Sequence, residues 1–265
     1  MPPETTTRQI TAVLDRIEKE HAVAIVLACE SGSRAWGFAS PDSDFDVRFI
    51  YVHPTEWYLS VGRQRDVIET PPGKILDVNG WDLRKSLQLM RRSNPPLYEW
   101  LVSPIRYRAA DKLLAPLLAL ADRAFLPESA CHHYLAMARH QWRRIRSDNP
   151  VRVKTYLYAL RTVLCCRWIV AHQSPPPMRI AELIEGLVTD PELIDAVRGL
   201  IRMKSRGTET VGTERLPKLD SFLLQALERL SQTIPKNPPR PPLSDFDATF
   251  REILLRLPPT LGASG

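Results

Sequence analysis

The sequence predicts an α+β protein, with a small mixed β-sheet and flanking helices over residues 1–108 and an all-helical region over 109–265. Three observations carry this. Short β-branched or alternating apolar runs are confined to the N-terminal part. From Asp82 onward the apolar residues recur at helical spacing. The 24 prolines, near twice the usual ~5%, fall largely in clusters that punctuate helices.

Taken in order, residues 5–20 carry Ile10, Val13, Leu14 and Ile17 at helical spacing. Residues 21–28, HAVAIVLA, are a short β-branched run and read as a buried strand. Glu30-Ser31-Gly32-Ser33 breaks that run, and one helical turn is expected over 34–38. In 42–51, Phe45, Val47, Phe49 and Tyr51 alternate with Asp44, Asp46 and Arg48, the pattern of a strand with two unlike faces. Short extended runs follow at 66–69 and 74–78, separated by Pro71-Pro72-Gly73. Asp82 can cap a helix whose Leu83, Leu87 and Met90 share one side. Asn94-Pro95-Pro96 stops it and starts another, LYEWLVS. Helical patterns continue at 111–125, 128–147, 151–173, 179–187, 190–203, 217–233 and 245–256, with the proline-rich 235–242 as a linker.

The bulk properties narrow the function classes. No apolar run approaches the ~20 residues needed to cross a bilayer. Residues 1–20 are polar and mixed in charge, unlike a signal peptide. Cys29, Cys131, Cys165 and Cys166 contain no C-x-x-C pair and read as small core residues, so a cytoplasmic protein is expected. His132, His133 and His140 have no Cys or acid to complete a metal set. The formal charge of +6 is uneven: between Arg139 and Arg167 eight basic residues face one acid, so that stretch alone is +7. Such a concentration suits a polyanion, and equally a solvated helix face.

The chemistry is carried by three features. Gly32-Ser33 lies where a buried strand turns into a helix, and backbone N–H groups there with a serine hydroxyl suit phosphate oxygens. Asp44 and Asp46 are alternate strand residues, facing the same side roughly 6–7 Å apart. Carboxylates so placed repel unless a cation or solvent lies between them, and hard oxygen ligands suit Mg²⁺. A third carboxylate is needed nearby. Asp77, within an extended run, is favoured over Asp82, whose role as a helix cap is sufficient by itself. Two metal ions held by such a set would activate an acceptor oxygen and steady a leaving pyrophosphate.

The run GSRAWGFASPDSDFDVRFIYV over 32–52 resembles the signature of polymerase-beta-type nucleotidyltransferases, a Gly-Ser turn followed by Asp-x-Asp. More narrowly it resembles the predicted bacterial and phage subgroup linked to RNA repair pathways. Two further stretches match that subgroup, DVNGWDLRKSLQLMRRSNPPLYEWLVSP over 77–104 and KTYLYALRTVLCCRWI over 154–169. The resemblance implies a nucleotidyltransferase catalytic domain over 1–108 and a helical domain over 109–265 that closes the nucleotide site. It implies Gly32 and Ser33 as the triphosphate turn, Asp44 and Asp46 as Mg²⁺ ligands, and Asp77 as the third acidic position. Two ions are expected, with Mn²⁺ as a substitute. The implied reaction moves NMP from an NTP to an acceptor hydroxyl, an RNA end, with release of pyrophosphate.

Supporting residues are read from spacing. Lys154, Tyr158 and Arg161 fall on one helix face, where they would hold triphosphate charge and stack a base, or form a solvated basic face. Arg34 adjoins the turn and is a further candidate nucleotide contact. Arg48 shares a strand face with Asp44 and Asp46, and is expected to brace them. The competing functional reading is a non-catalytic RNA- or nucleotide-binding protein, or a toxin–antitoxin component using the same fold.

Overall fold

The computed structural model describes residues 3–62, 64–70 and 75–257. The chain opens with α1 (Glu4–His21), whose Ile10, Leu14 and Ile17 are buried; Ala22, with φ 49°, closes the helix and redirects the chain. Strand β1 (Ala24–Glu30) therefore starts three residues later than the apolar run alone suggests. A single turn, α2 (Gly32–Trp36), leads to β2 (Phe45–Val52), then α3 (Thr55–Tyr58), β3 (Val67–Glu69) and β4 (Leu76–Asp82). The expected strand over 42–51 thus begins only at Phe45. Before it, Ser43 N–H donates to the Ser40 carbonyl and Ser40 N–H to the Ser43 hydroxyl, which folds 40–43 into a turn. The expected break at Pro71-Pro72-Gly73 and strand start at Lys74 lie outside the described residues.

The rest of the chain is mostly helical: α4 (Leu83–Met90), α5 (Pro95–Leu101), β5 (Arg106–Ala109), α6 (Asp111–Ala124), α7 (Pro127–Ser147), β6 (Val151–Arg152), α8 (Val153–His172), α9 (Ile180–Leu187), α10 (Pro191–Arg206), β7 (Gly212–Thr213), α11 (Pro217–Leu230) and α12 (Leu243–Leu255). Asp82 caps α4 by accepting from Arg84 N–H at 2.7 Å, and Asn94 caps α5, which carries Pro at its first position. Pro191 starts α10 behind the capping carboxylate of Asp190. The sequence did not mark β5, which pairs with the edge of β1, nor the β6–β7 ribbon, which joins Val151 to Thr213.

The α+β architecture is the observed one. The five-stranded sheet runs β3-β4-β2-β1-β5, antiparallel except for the parallel pair β2 and β4. Strand periodicity divides β2 cleanly. Val47, Phe49 and Tyr51 pack with α1 on one side, while Ile50 and Val52 join the helices on the other. Asp46 and Arg48 belong to that second side, because alternate strand residues share a face. The sheet therefore offers polar residues at one end of its helix-facing side and apolar ones at the other. A bulge near Ile25 and Leu27 shifts the β1 register, so Val26 and Leu27 both reach the helical core.

Helix α8 lies at the centre of that core. It is buried nearly all round, as a helix with apolar residues on every side must be. The cluster it nucleates runs without a break across residue 108, from Leu27 and Ile50 of the sheet to Leu160, Leu223 and Phe246 of the helices. All four cysteines are free and buried. Among the described residues, no helix is long and apolar enough to cross a membrane.

Candidate active site

The site forms where β1 ends against the start of β2. Ser31, in extended conformation, donates its N–H to the Asp46 carbonyl at 2.8 Å, continuing the strand pairing one residue past Glu30. Gly32 then takes φ 60°, and a Cβ placed there would stand 2.0 Å from Asp46 Oδ2. Only glycine satisfies both the left-handed backbone and that contact. Ser33 follows at the start of α2, buried, its hydroxyl donating to Ser43 Oγ at 3.3 Å. The turn and the carboxylate of Asp46 are therefore in direct contact.

Asp46 is held from behind. Its N–H donates to Glu30 Oε1 at 2.9 Å, and Tyr107 Oη–H donates to the other Glu30 oxygen. Burial pushes the Glu30 carboxyl up to about 7, against the opposing pull of those two donors. Glu30 was not singled out in the sequence. Its only signal there is an acid two residues before Gly32, just past a buried apolar run.

In front, the parallel register places Asp46 opposite Asp77. Arg48 bridges them: Nη2 lies 2.9 Å from Asp46 Oδ1 and 2.7 Å from Asp77 Oδ2, and Nη1 lies 2.9 Å from the Asp77 carbonyl. Burial raises the Asp46 pKa, Arg48 lowers it, and the charges of Asp77 and Asp44 raise it again. Asp44 sits just before β2, exposed, in the approach to the site. Asp82 is not part of this group. It lies at the far end of β4, buried as the cap of α4, with Tyr58 Oη donating to it at 2.6 Å. Among the described residues, no group of three His, Cys, Asp or Glu side chains converges closely enough to hold a metal ion as the side chains stand. The donor chemistry nonetheless fits one: hard carboxylate oxygens of Asp46 and Asp77 already share a single positive charge, with Asp44 adjacent.

The remaining sequence candidates divide. Tyr158 stands edge-on to Trp36 at 5.1 Å between ring centroids; burial pushes its phenol up to about 12, aided by the charges of Glu209 and Asp46. Lys154, one turn earlier on α8, reaches Glu209 Oε2 at 3.4 Å. Arg34 is turned away from the cleft side of Asp46: Nε donates to the Asp44 carbonyl at 3.0 Å, Nη2 donates to the Ser43 carbonyl, and the guanidinium lies over the Phe45 ring. It fixes the 43–45 segment rather than presenting a free fork to a ligand.

Arg161 lies deeper than Lys154 and Tyr158. Spacing put it on a nucleotide-facing side with Lys154 and Tyr158, yet its side chain is 2% exposed. Nη1 is 2.8 Å from Glu99 Oε1, Nε donates to the Met178 carbonyl, and the guanidinium stacks 4.4 Å from Trp36. The same Glu99 accepts from Tyr134 Oη and Trp36 Nε1. These contacts make Glu99 the hub of a buried network behind the site; of the Arg161 guanidinium, only Nη2 is left without a hydrogen-bond partner.

A cavity of about 510 Å³ lies elsewhere, between α4 and α12, lined by Arg84, Arg91, Arg92, Phe246 and Phe250. It adjoins the end of β4 opposite Asp77, and the chemistry above does not reach it.

Comparison with known proteins places this assembly. The model of the RNA repair pathway DNA polymerase beta family matches residues 6–252. The chain belongs to that family. It is thus a member of a polymerase-beta-like nucleotidyltransferase family. A curated relative, the uncharacterized protein YcgL of Bacillus subtilis strain 168, is 44% identical over 225 residues, covering 85% of this chain and 86% of its own. Among solved structures, a nucleotidyltransferase-like protein from Exiguobacterium sibiricum 255-15 aligns over 92% of this chain and 79% of its own, at 12% identity and a TM-score of 0.36.

Proposed function

We propose that this family member is a Mg²⁺-dependent enzyme that transfers NMP from an NTP to an acceptor hydroxyl, an RNA end, in the cytoplasm. The observation that carries this reading is the contact of the Gly32 turn with Asp46, which stands opposite Asp77 in register. One small volume then offers a phosphate turn and carboxylates together, as nucleotidyl transfer needs. In the reaction, the acceptor oxygen forms a bond to the α-phosphorus. The bond from that phosphorus to the bridging oxygen breaks, and pyrophosphate carries away the electron pair.

Asp44, Asp46 and Asp77 would hold Mg²⁺, two ions or Mn²⁺ in their place. Bound metal would neutralise phosphate charge and make the acceptor hydroxyl more acidic. The protein's own part is positioning. Glu30 fixes the Asp46 backbone, Ser33 presents its hydroxyl beside the turn, and Arg48 keeps the carboxylates from repelling until a ligand arrives. An RNA acceptor is favoured by the family description and by exposed Arg139, Arg143 and Arg146, which share one face of α7.

One observation favours a second, non-catalytic reading. Arg48 already satisfies Asp46 and Asp77, so the acids could serve binding or structure alone. The deciding experiment incubates the protein with Mg²⁺ and each α-labelled NTP, with and without RNA. Label transfer that Asp46→Asn abolishes, with the melting temperature little changed, supports catalysis. No transfer by wild type, with RNA binding intact in both wild type and Asp44→Asn, establishes the binding reading instead.

A further inference from the structure

Residues 40–43 and the end of α10 meet in a second polar cluster beside the turn. Lys204, on α10, is 1% exposed, and its ammonium lies 2.5 Å from Glu209 Oε1 and 3.4 Å from Ser40 Oγ. Glu209 belongs to the short segment between α10 and β7. Its Oε1 also accepts from Ser40 Oγ at 2.9 Å and from the Ser43 hydroxyl, while Oε2 faces Lys154 at 3.4 Å. One carboxylate thus collects two ammonium groups and two hydroxyls. Burial works against its charge, but Lys204, Ser43 and Ser40 outweigh it and hold Glu209 down to about 2.

The location matters more than the pairing. Ser43 Oγ, which binds Glu209, is also the acceptor for Ser33 of the phosphate turn. The Glu209 charge is felt at both Asp46 and Tyr158. A set of two lysines and two serine hydroxyls next to a Gly-Ser turn is chemistry suited to phosphate oxygens, which carry more charge and more acceptor positions than a carboxylate. A Lys–Glu pair needed only for stability would not require this many donors, and buried pairs contribute little net stability.

We infer that Lys154, Lys204, Ser40 and Ser43 form the triphosphate cradle of this site, and that Glu209 occupies it as an internal competitor which incoming nucleotide displaces. This rests on the nucleotidyl-transfer reading and adds to it a residue, Lys204, that neither motif nor spacing marks. The segment can release its hold locally. Beyond its side chain, Glu209 is tied by its N–H to the Asp42 carboxylate at 3.1 and 3.2 Å, and Thr208 and Thr210 on either side are exposed. Withdrawal breaks the exposed tie to Asp42 and the part-buried contacts to Lys204, Ser40 and Ser43, whose donors phosphate oxygens would then satisfy, and the β6–β7 ribbon keeps the end of the segment in place.

The test is calorimetric titration without metal, using inorganic tripolyphosphate and non-hydrolysable analogues of the four NTPs. Glu209→Gln keeps the side-chain shape and removes the competing charge, so tripolyphosphate and the preferred analogue should bind at least ~10-fold tighter than to wild type. Asp42→Asn, which weakens the tie of the Glu209 N–H, should give a smaller gain. Glu209→Gln combined with Lys204→Met, which removes the pair together, should lose the gain. Equal or weaker binding by a folded Glu209→Gln protein overturns the inference, as does a gain that survives loss of Lys204. If in either case label transfer persists, the nucleotidyl-transfer reading stands without the competitor. Absence of binding to every probe, together with absence of transfer, defeats both.

Discussion

At Gly32 a single hydrogen atom separates a working arrangement from a collision. A methyl group there would point at Asp46 Oδ2 from 2.0 Å, and the φ of 60° is one that alanine resists. Gly32→Ala is expected to cost ~1–3 kcal/mol in chemical denaturation and to displace Asp46, so that label transfer falls to background. Unchanged transfer would show that Asp46 need not touch the turn. Residues of this kind were legible in the sequence, because strand alternation and a chain break put Gly32, Asp46 and Asp77 on neighbouring strand ends. Lys204 and Glu209 were not. They lie where α10 runs out among exposed charges, over 150 residues from Ser43, and only folding reveals that one of those charges is buried.

At the scale of the element, α8 shows the limit of helical spacing as a guide. The wheel gives the angle at which a side chain leaves the axis and says nothing of the depth of protein beyond it. Lys154 and Tyr158 leave α8 toward the cleft, but Arg161, further along the same face, enters the core and meets Glu99. Removing one partner of such a pair leaves an uncompensated buried charge. Arg161→Met is therefore expected to destabilise by ~3–5 kcal/mol, and Arg161→Met with Glu99→Met by less than the two single changes summed. Urea denaturation of the singles and the double checks this; additive losses would mean the two side chains act independently. The strands were harder to bound than the helices. Ends such as Phe45 and Ala24 depend on a serine turn and on a left-handed residue, Ala22, that composition does not announce.

At the scale of the whole molecule, acid sensitivity has an identifiable contributor. His53 is buried and stacked on Trp57 at 3.9 Å, and burial, with the charge of His21, lowers its pKa to about 4. An unfolded histidine titrates near ~6.5, so the folded state keeps His53 neutral where the unfolded chain takes up a proton. Its contribution is therefore complete above about pH 6.5 and is lost as pH falls from there toward about 4. Thermal melts at about pH 7.5 and about pH 5 should show a smaller drop for His53→Phe than for wild type. Equal drops would assign the sensitivity to other groups.

The apolar cluster that crosses residue 108 has a consequence for how ligands reach the cleft. Swinging the helical half away from the sheet would bare surfaces around Leu27, Ile50 and Leu160, at ~25 cal/mol for each Å² exposed. A hinge of that kind would have to offset this exposure. Yielding of thin surface segments, each held by a few polar contacts, is the less costly route into and out of the cleft, with the body behind them still.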